Sequence, residues 1–186
     1  MLAFIAYTLH DHPIACFCFV DPCKLVDIML ALDNSGSITQ LDPNNWDYMI
    51  DYSTNLATQV TLGETEYQVG ALLFGNSGRI KIKLDQTRSN AELTDLIENL
   101  NFQAQRTNVV GGLQGTRVIG FNETNGARSN AYKVAIFLYD GEPTNPDFGT
   151  IDDVRAEAPK LKEAGVEVFI TLSSIMLTTE KCPSTF

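Results

Sequence analysis

Val26-Asp27-Ile28-Met29-Leu30-Ala31-Leu32-Asp33-Asn34-Ser35-Gly36-Ser37 decides how this chain is read. Residues 26–32 form an apolar run of strand length, long enough to be buried on both faces of a sheet. The run ends abruptly in Asp33-Asn34-Ser35-Gly36-Ser37, which is turn chemistry and places one carboxylate and two hydroxyls on a tight bend. Such an oxygen-rich cluster suits a hard divalent cation.

Outward from that stretch, strand-like and helix-like patterns alternate, the signature of a mostly parallel sheet with helices on both faces. Residues 43–60 have helical spacing through Trp46, Met49, Ile50, Leu56, Ala57 and Val60, with Pro43 at a first-turn position. Tyr67–Phe74 reads as a second strand. The turn Gly75-Asn76-Ser77-Gly78 then leads to Arg79–Leu84, whose alternating charges suit an antiparallel edge strand. A short helix over Asn90–Leu100 is capped by Ser89 or Asn90. Residues 109–121 read as a helix whose Gly111, Gly112 and Gly115 permit close contact with the sheet. Tyr132–Leu138 and Val166–Leu172 are further buried strands, separated by a helix from about Ile151 to Ala164 in which Pro159 is expected to kink or delay the regular part. The fold class is therefore α/β: a doubly wound, mostly parallel sheet with one antiparallel edge strand and helices on both faces.

In such sheets ligands bind beyond the carboxyl ends of the strands, where the strand order reverses. Asp33 ends one strand and Asp140, in Tyr139-Asp140-Gly141, ends another. Arg106-Thr107-Asn108, before the glycine-bearing helix, reaches the same crevice. The three pieces together resemble the von Willebrand factor type A domain, also called the integrin I-type domain. Its metal-ion-dependent adhesion site combines a DxSxS turn, a distant threonine and a distant aspartate. The resemblance covers residues from about 25 to 174 and implies that Asp33, Ser35, Ser37, Thr107 and Asp140 hold Mg²⁺ or Mn²⁺, and Ca²⁺ less readily. It further implies that a partner protein's Glu or Asp completes the site, as in an adhesion module of the extracellular matrix or cell surface. Tyr139 stands where the family usually has threonine.

The resemblance also implies a helix, an edge strand and a final helix after Val166–Leu172, whereas only residues 173–186 follow. A C-terminally truncated domain is the expectation, with cover of the exposed edge by residues 1–20 and 173–186 as the alternative. The family's final-helix switch is not carried over. Residues 1–24 are set aside as a leader or flanking segment, 25–174 as the domain and 175–186 as a tail.

Composition narrows the function. Lys and Arg number 13 against 23 Asp and Glu, a formal charge of −10 that repels phosphate backbones and argues against nucleic acid. No apolar run reaches the roughly 20 residues of a membrane-spanning helix. Cys16, Cys18, Cys23 and Cys182 do not have zinc-ligand spacing; they are free thiols or a flanking disulfide such as Cys23 to Cys182. Asn122-Glu123-Thr124 is a glycosylation sequon and favours an extracellular or secreted setting. Catalysis is not expected. A haloacid-dehalogenase-type phosphatase needs a second aspartate where Ser35 stands, and the only histidines, His10 and His12, precede the domain. The alternatives carried are a structural matrix or scaffold domain with a vestigial metal site and a metal-assisted hydrolase.

Overall fold

A computed structural model of the protein describes residues 25–140 and 149–172. Five strands form one sheet: β1 (Val26–Asp33), β2 (Tyr67–Phe74), β3 (Arg79–Ile82), β4 (Tyr132–Tyr139) and β5 (Val166–Leu172). Their order is β3-β2-β1-β4-β5, with β3 antiparallel and every other pairing parallel. The doubly wound α/β architecture expected from the sequence is the observed one.

The central position of β1 explains its composition. All of its residues are buried, and alternate side chains serve opposite layers. Ile28, Leu30 and Leu32 pack with α2 (Asn45–Thr58) and α3 (Asn90–Glu98), which contribute Met49, Ile50, Ala57, Leu93 and Ile97. Met29 and Ala31 face the other core, with Leu113 of α4 (Val109–Gly115) and Leu161 of α5 (Ile151–Glu163).

Asp27 is the one charged residue inside this apolar strand, Asp33 standing at its end. It is fully buried and receives Arg128 through Nε at 2.8 Å and the Arg128 backbone N–H at 2.7 Å. The same guanidinium donates to the carbonyls of Val26, Glu64 and Glu66, so one side chain ties three segments at the end of the sheet where β1 and β4 begin.

Three local expectations shift, while α5 lies where the sequence placed it. A short helix, α1 (Ile38–Leu41), follows the Asp33 turn, and α2 begins only at Asn45. Pro43 sits in the turn closed by Asn45 N–H on the Asp42 carbonyl at 3.1 Å, and the Asp42 carboxylate accepts from Asn44 N–H. That turn uses the fixed φ of proline before the helix starts. Strand β3 stops at Ile82, because Lys83 N–H is taken by the Gln86 side chain and Leu84 N–H by the Asn125 carbonyl. The segment after α4 continues as a π-helical turn over Thr116–Gly120. Helix α5 runs through Pro159 to Glu163, held at its start by a capping box between Thr150 and Asp153.

The glycines of α4 permit close contact, as their sequence suggests. A Cβ on Gly115 would lie 2.9 Å from Gly78 Cα, so α4 approaches the β2–β3 turn backbone to backbone. The cysteines, the proposed leader and the tail lie outside the described residues.

Candidate metal centre

The strand order reverses between β1 and β4, since β2 lies on one side of β1 and β4 on the other. The register pairs Leu32 with Leu138, which puts Asp33 and Asp140 one and two residues beyond it at the same end of neighbouring strands. The two carboxylates are close enough to interact: the Asp140 charge helps to raise the Asp33 pKa.

The turn after β1 is built by its own side chains. Ser35 N–H donates to Asp33 Oδ1 at 2.8 Å, fixing the carboxylate against the bend. Ser35 Oγ lies 2.9 Å from Ser37 Oγ, and Ser37 Oγ lies 3.5 Å from Thr107 Oγ1. Three hydroxyls from two distant segments thus form a row beside the two aspartates. The structure brings Asp33, Ser35, Ser37 and Thr107 together as the sequence reading expected, with Asp140 close by.

Thr107 is carried to that place by amide side chains that the sequence reading passed over. Asn34 is buried; its N–H bonds the Phe74 carbonyl at 2.7 Å, its carbonyl accepts from Gln105 N–H and its Oδ1 accepts from Gln103 N–H, both at 2.8 Å. Gly36 N–H returns a bond to the Gln105 carbonyl at 2.8 Å. On the other side the Gln105 amide accepts from Asn76 N–H, while Asn108 donates to the Asn76 carbonyl and caps α4 through Gly111 N–H at 2.6 Å. The loop is therefore stitched to both neighbouring turns. Ala104, inside it, holds a left-handed φ of 47°, a conformation that costs a non-glycine residue and that this stitching maintains. Arg106 sits in the same loop, its N–H bonded to the Asn76 side chain.

The environment of Asp33 disfavours its charge. Burial pushes the Asp33 carboxyl up to about 7; the Ser35 hydroxyl opposes this by hydrogen bonding and the neighbouring Asp140 charge adds to it. Asp33 Oδ2 is buried and has no hydrogen-bond partner among the described residues. Tyr139, half-buried beside them, is raised by burial first and then by Asp140 and Asp33. Among the described residues no three His, Cys, Asp or Glu side chains gather as a metal group, so a cation here relies on two carboxylates and neutral hydroxyl oxygens. That donor set fits a hard divalent ion, and the buried Asp33 oxygen without a donor is the observation in its favour.

A doubly wound sheet with an oxygen cluster over its switch point defines a class of α/β ligand-binding domain. Within that class, the chain belongs to the von Willebrand factor type A domain family, whose sequence model matches residues 27–171. It is 28% identical over 154 residues to the human collagen alpha-6(VI) chain, across 82% of this chain and 6% of that one. To mouse integrin alpha-M it is 26% identical over 145 residues, across 78% of this chain and 12% of the integrin. The fold is similar to that of proximal thread matrix protein 1 from the mussel byssus, solved with a zinc-occupied MIDAS motif: TM-score 0.70, 24% identity, 80% of this chain and 38% of that one. This chain therefore spans only a small part of the length of the collagen and integrin relatives. No helix among the described residues is long and apolar enough to cross a membrane.

Proposed function

We propose that this domain is a non-enzymatic, divalent-cation-dependent protein-binding module, with Asp33, Ser35, Ser37, Thr107 and Asp140 as the oxygen donors to Mg²⁺ or Mn²⁺, Ca²⁺ being held less well. The reading rests on one observation above the others: the buried Asp33 carboxylate keeps an oxygen without a hydrogen-bond partner among the described residues, beside a second carboxylate and a row of three hydroxyls. Ser35 orients Asp33 through its N–H, and the amide-stitched loop holds Thr107 in line. With only two formal negative charges among the donors, a bound divalent ion would supply an electron-poor position that takes a carboxylate from a partner's Glu or Asp.

The relatives named as collagens and integrin support a partner in the extracellular matrix or on a cell surface, and an extracellular or secreted location for this chain. A non-enzymatic role is supported by the chemistry present. Among the described residues no histidine stands beside the hydroxyls of the cluster to serve as a base; the two histidines of the sequence, His10 and His12, lie outside those residues.

Titration calorimetry with Mg²⁺ and Mn²⁺ tests the site. Wild-type protein should bind one equivalent with measurable heat, and Asp33→Ala, shown folded by circular dichroism, should give none. Equal heats from the two proteins would sink the proposal.

A further inference from the structure

At the opposite end of the sheet from the oxygen cluster lies the one Asn-x-Ser/Thr triplet of the sequence, Asn122-Glu123-Thr124. It sits between the π-helical turn and β4, before the strand begins at Tyr132, whereas Asp140 follows the strand's far end. All three residues are exposed. We propose that Asn122 is a site of N-linked glycosylation, its Nδ2 accepting an oligosaccharide from a lipid-pyrophosphate-linked donor of the secretory pathway. In that transfer the bond from Nδ2 to the sugar's anomeric carbon forms as the bond from that carbon to the pyrophosphate oxygen breaks. Nδ2 gives up one proton and the lipid pyrophosphate leaves.

The local hydrogen bonding is compatible with the product. Asn122 caps a 3-10 turn over Glu123–Asn125 through its side-chain oxygen, which accepts from Thr124 N–H at 2.9 Å and from the Thr124 hydroxyl at 2.7 Å. Both bonds fall on Oδ1, which glycosylation leaves in place as an amide carbonyl. Nδ2 has no hydrogen-bond partner among the described residues, so no native bond is lost when the sugar is attached. The turn itself is anchored from beneath: Asn125 donates to the Ile119 carbonyl at 2.9 Å and its own carbonyl accepts from Leu84 N–H at 2.9 Å. The acceptor side chain therefore stands outward on a fixed base. An eight-residue strand spans about 26 Å, so a glycan rooted here projects from the pole remote from Asp33 and leaves that end open to a protein partner.

This inference rests on the extracellular reading above, and its test is arranged to be independent of it. The full chain is expressed in a eukaryotic cell behind a secretory leader, which enforces the compartment whatever the protein's natural address. The expected result is a secreted product whose mass falls on treatment with peptide-N-glycosidase and whose peptide map then carries aspartate at 122. Asn122→Gln and Thr124→Ala should each lose the mass shift completely, while Thr124→Ser should retain it and so guard against a folding effect of the substitutions. Secreted wild-type chain at its unmodified mass would overturn the proposal, as would a shift that persists in Asn122→Gln.

Discussion

Asp33 illustrates a residue whose environment is hostile to its charge. Its folded-state pKa is raised from 3.8 to about 7, by burial above all. For a raised carboxyl, the stabilising contribution is fully present below the unfolded value and is lost as pH climbs through the folded one. In EDTA, wild-type protein should therefore lose stability relative to Asp33→Asn between about pH 4 and pH 7. Each pKa unit corresponds to about 1.4 kcal/mol, so the gap at pH 8 reaches up to about 4 kcal/mol. Urea melts of both proteins across that range check this. Saturating Mg²⁺ at pH 8 should stabilise the wild type and leave Asp33→Asn unmoved; equal stabilisation would detach the cation from Asp33. Legibility at this scale was uneven. Asp33, Ser35, Ser37, Thr107 and Asp140 stand out in the sequence because oxygen donors follow apolar strands. Asn34, Asn76, Gln103 and Gln105, which hold Thr107 in place, do not, because a surface amide and a structural amide look alike until the loops meet.

The elements divide into those governed by local pattern and those governed by contact. Helix α4 carries three glycines in seven residues, a poor helix by propensity. It persists because Asn108 caps it and because its glycines allow backbone approach to Gly78 and to the Phe74 ring. Gly115→Ala should therefore destabilise by about 1–3 kcal/mol through overpacking, despite the better helix propensity of alanine, since the obstructing atom is backbone that cannot rotate aside. Helix α5 shows the reverse case. Pro159 sits in its interior, where proline ordinarily costs about 3 kcal/mol. The residue is exposed, as is Arg155, whose carbonyl the missing N–H would have bonded. Pro159→Ala should raise stability by about 1–2 kcal/mol once the entropy of the unfolded chain is set against the regained bond. Thermal melts of the two variants should move in opposite directions. The sequence pointed to a helix at both places, and at Pro159 the helix continues because an exposed carbonyl keeps access to water.

For the whole molecule, the buried pair of Asp27 and Arg128 joins residues about a hundred positions apart and closes the pole opposite the oxygen cluster. Removing the arginine leaves an uncompensated buried carboxylate and three carbonyls without their donor. Arg128→Ala should cost about 3–5 kcal/mol in urea denaturation, and Asp27→Asn should recover part of that loss in the double variant. Glu157 makes a second such anchor, between α5 and the α4 segment within one helical layer. Burial pushes its pKa up, but hydrogen bonds from Lys160, Arg117 and Gln114 outweigh it and hold the carboxyl below its ordinary range. The two ends of the sheet therefore differ in kind. At the Asp27 end the buried charge is fully paired, while at the Asp33 end an aspartate oxygen has no donor among the described residues.

The alternation of strands and helices, the all-buried β1 and the oxygen-bearing turns at the strand ends are written locally in the chain, because each follows from periodicity and residue type within one segment. Tertiary structure alone decided which distant segments meet. The 2.9 Å and 3.5 Å spacings along Ser35, Ser37 and Thr107, the burial that strands Asp33 Oδ2 and the Asp27–Arg128 lock all depend on loops drawn together by strand order. Strand order is a global minimum of packing and hydrogen bonding, and no local stretch encodes it.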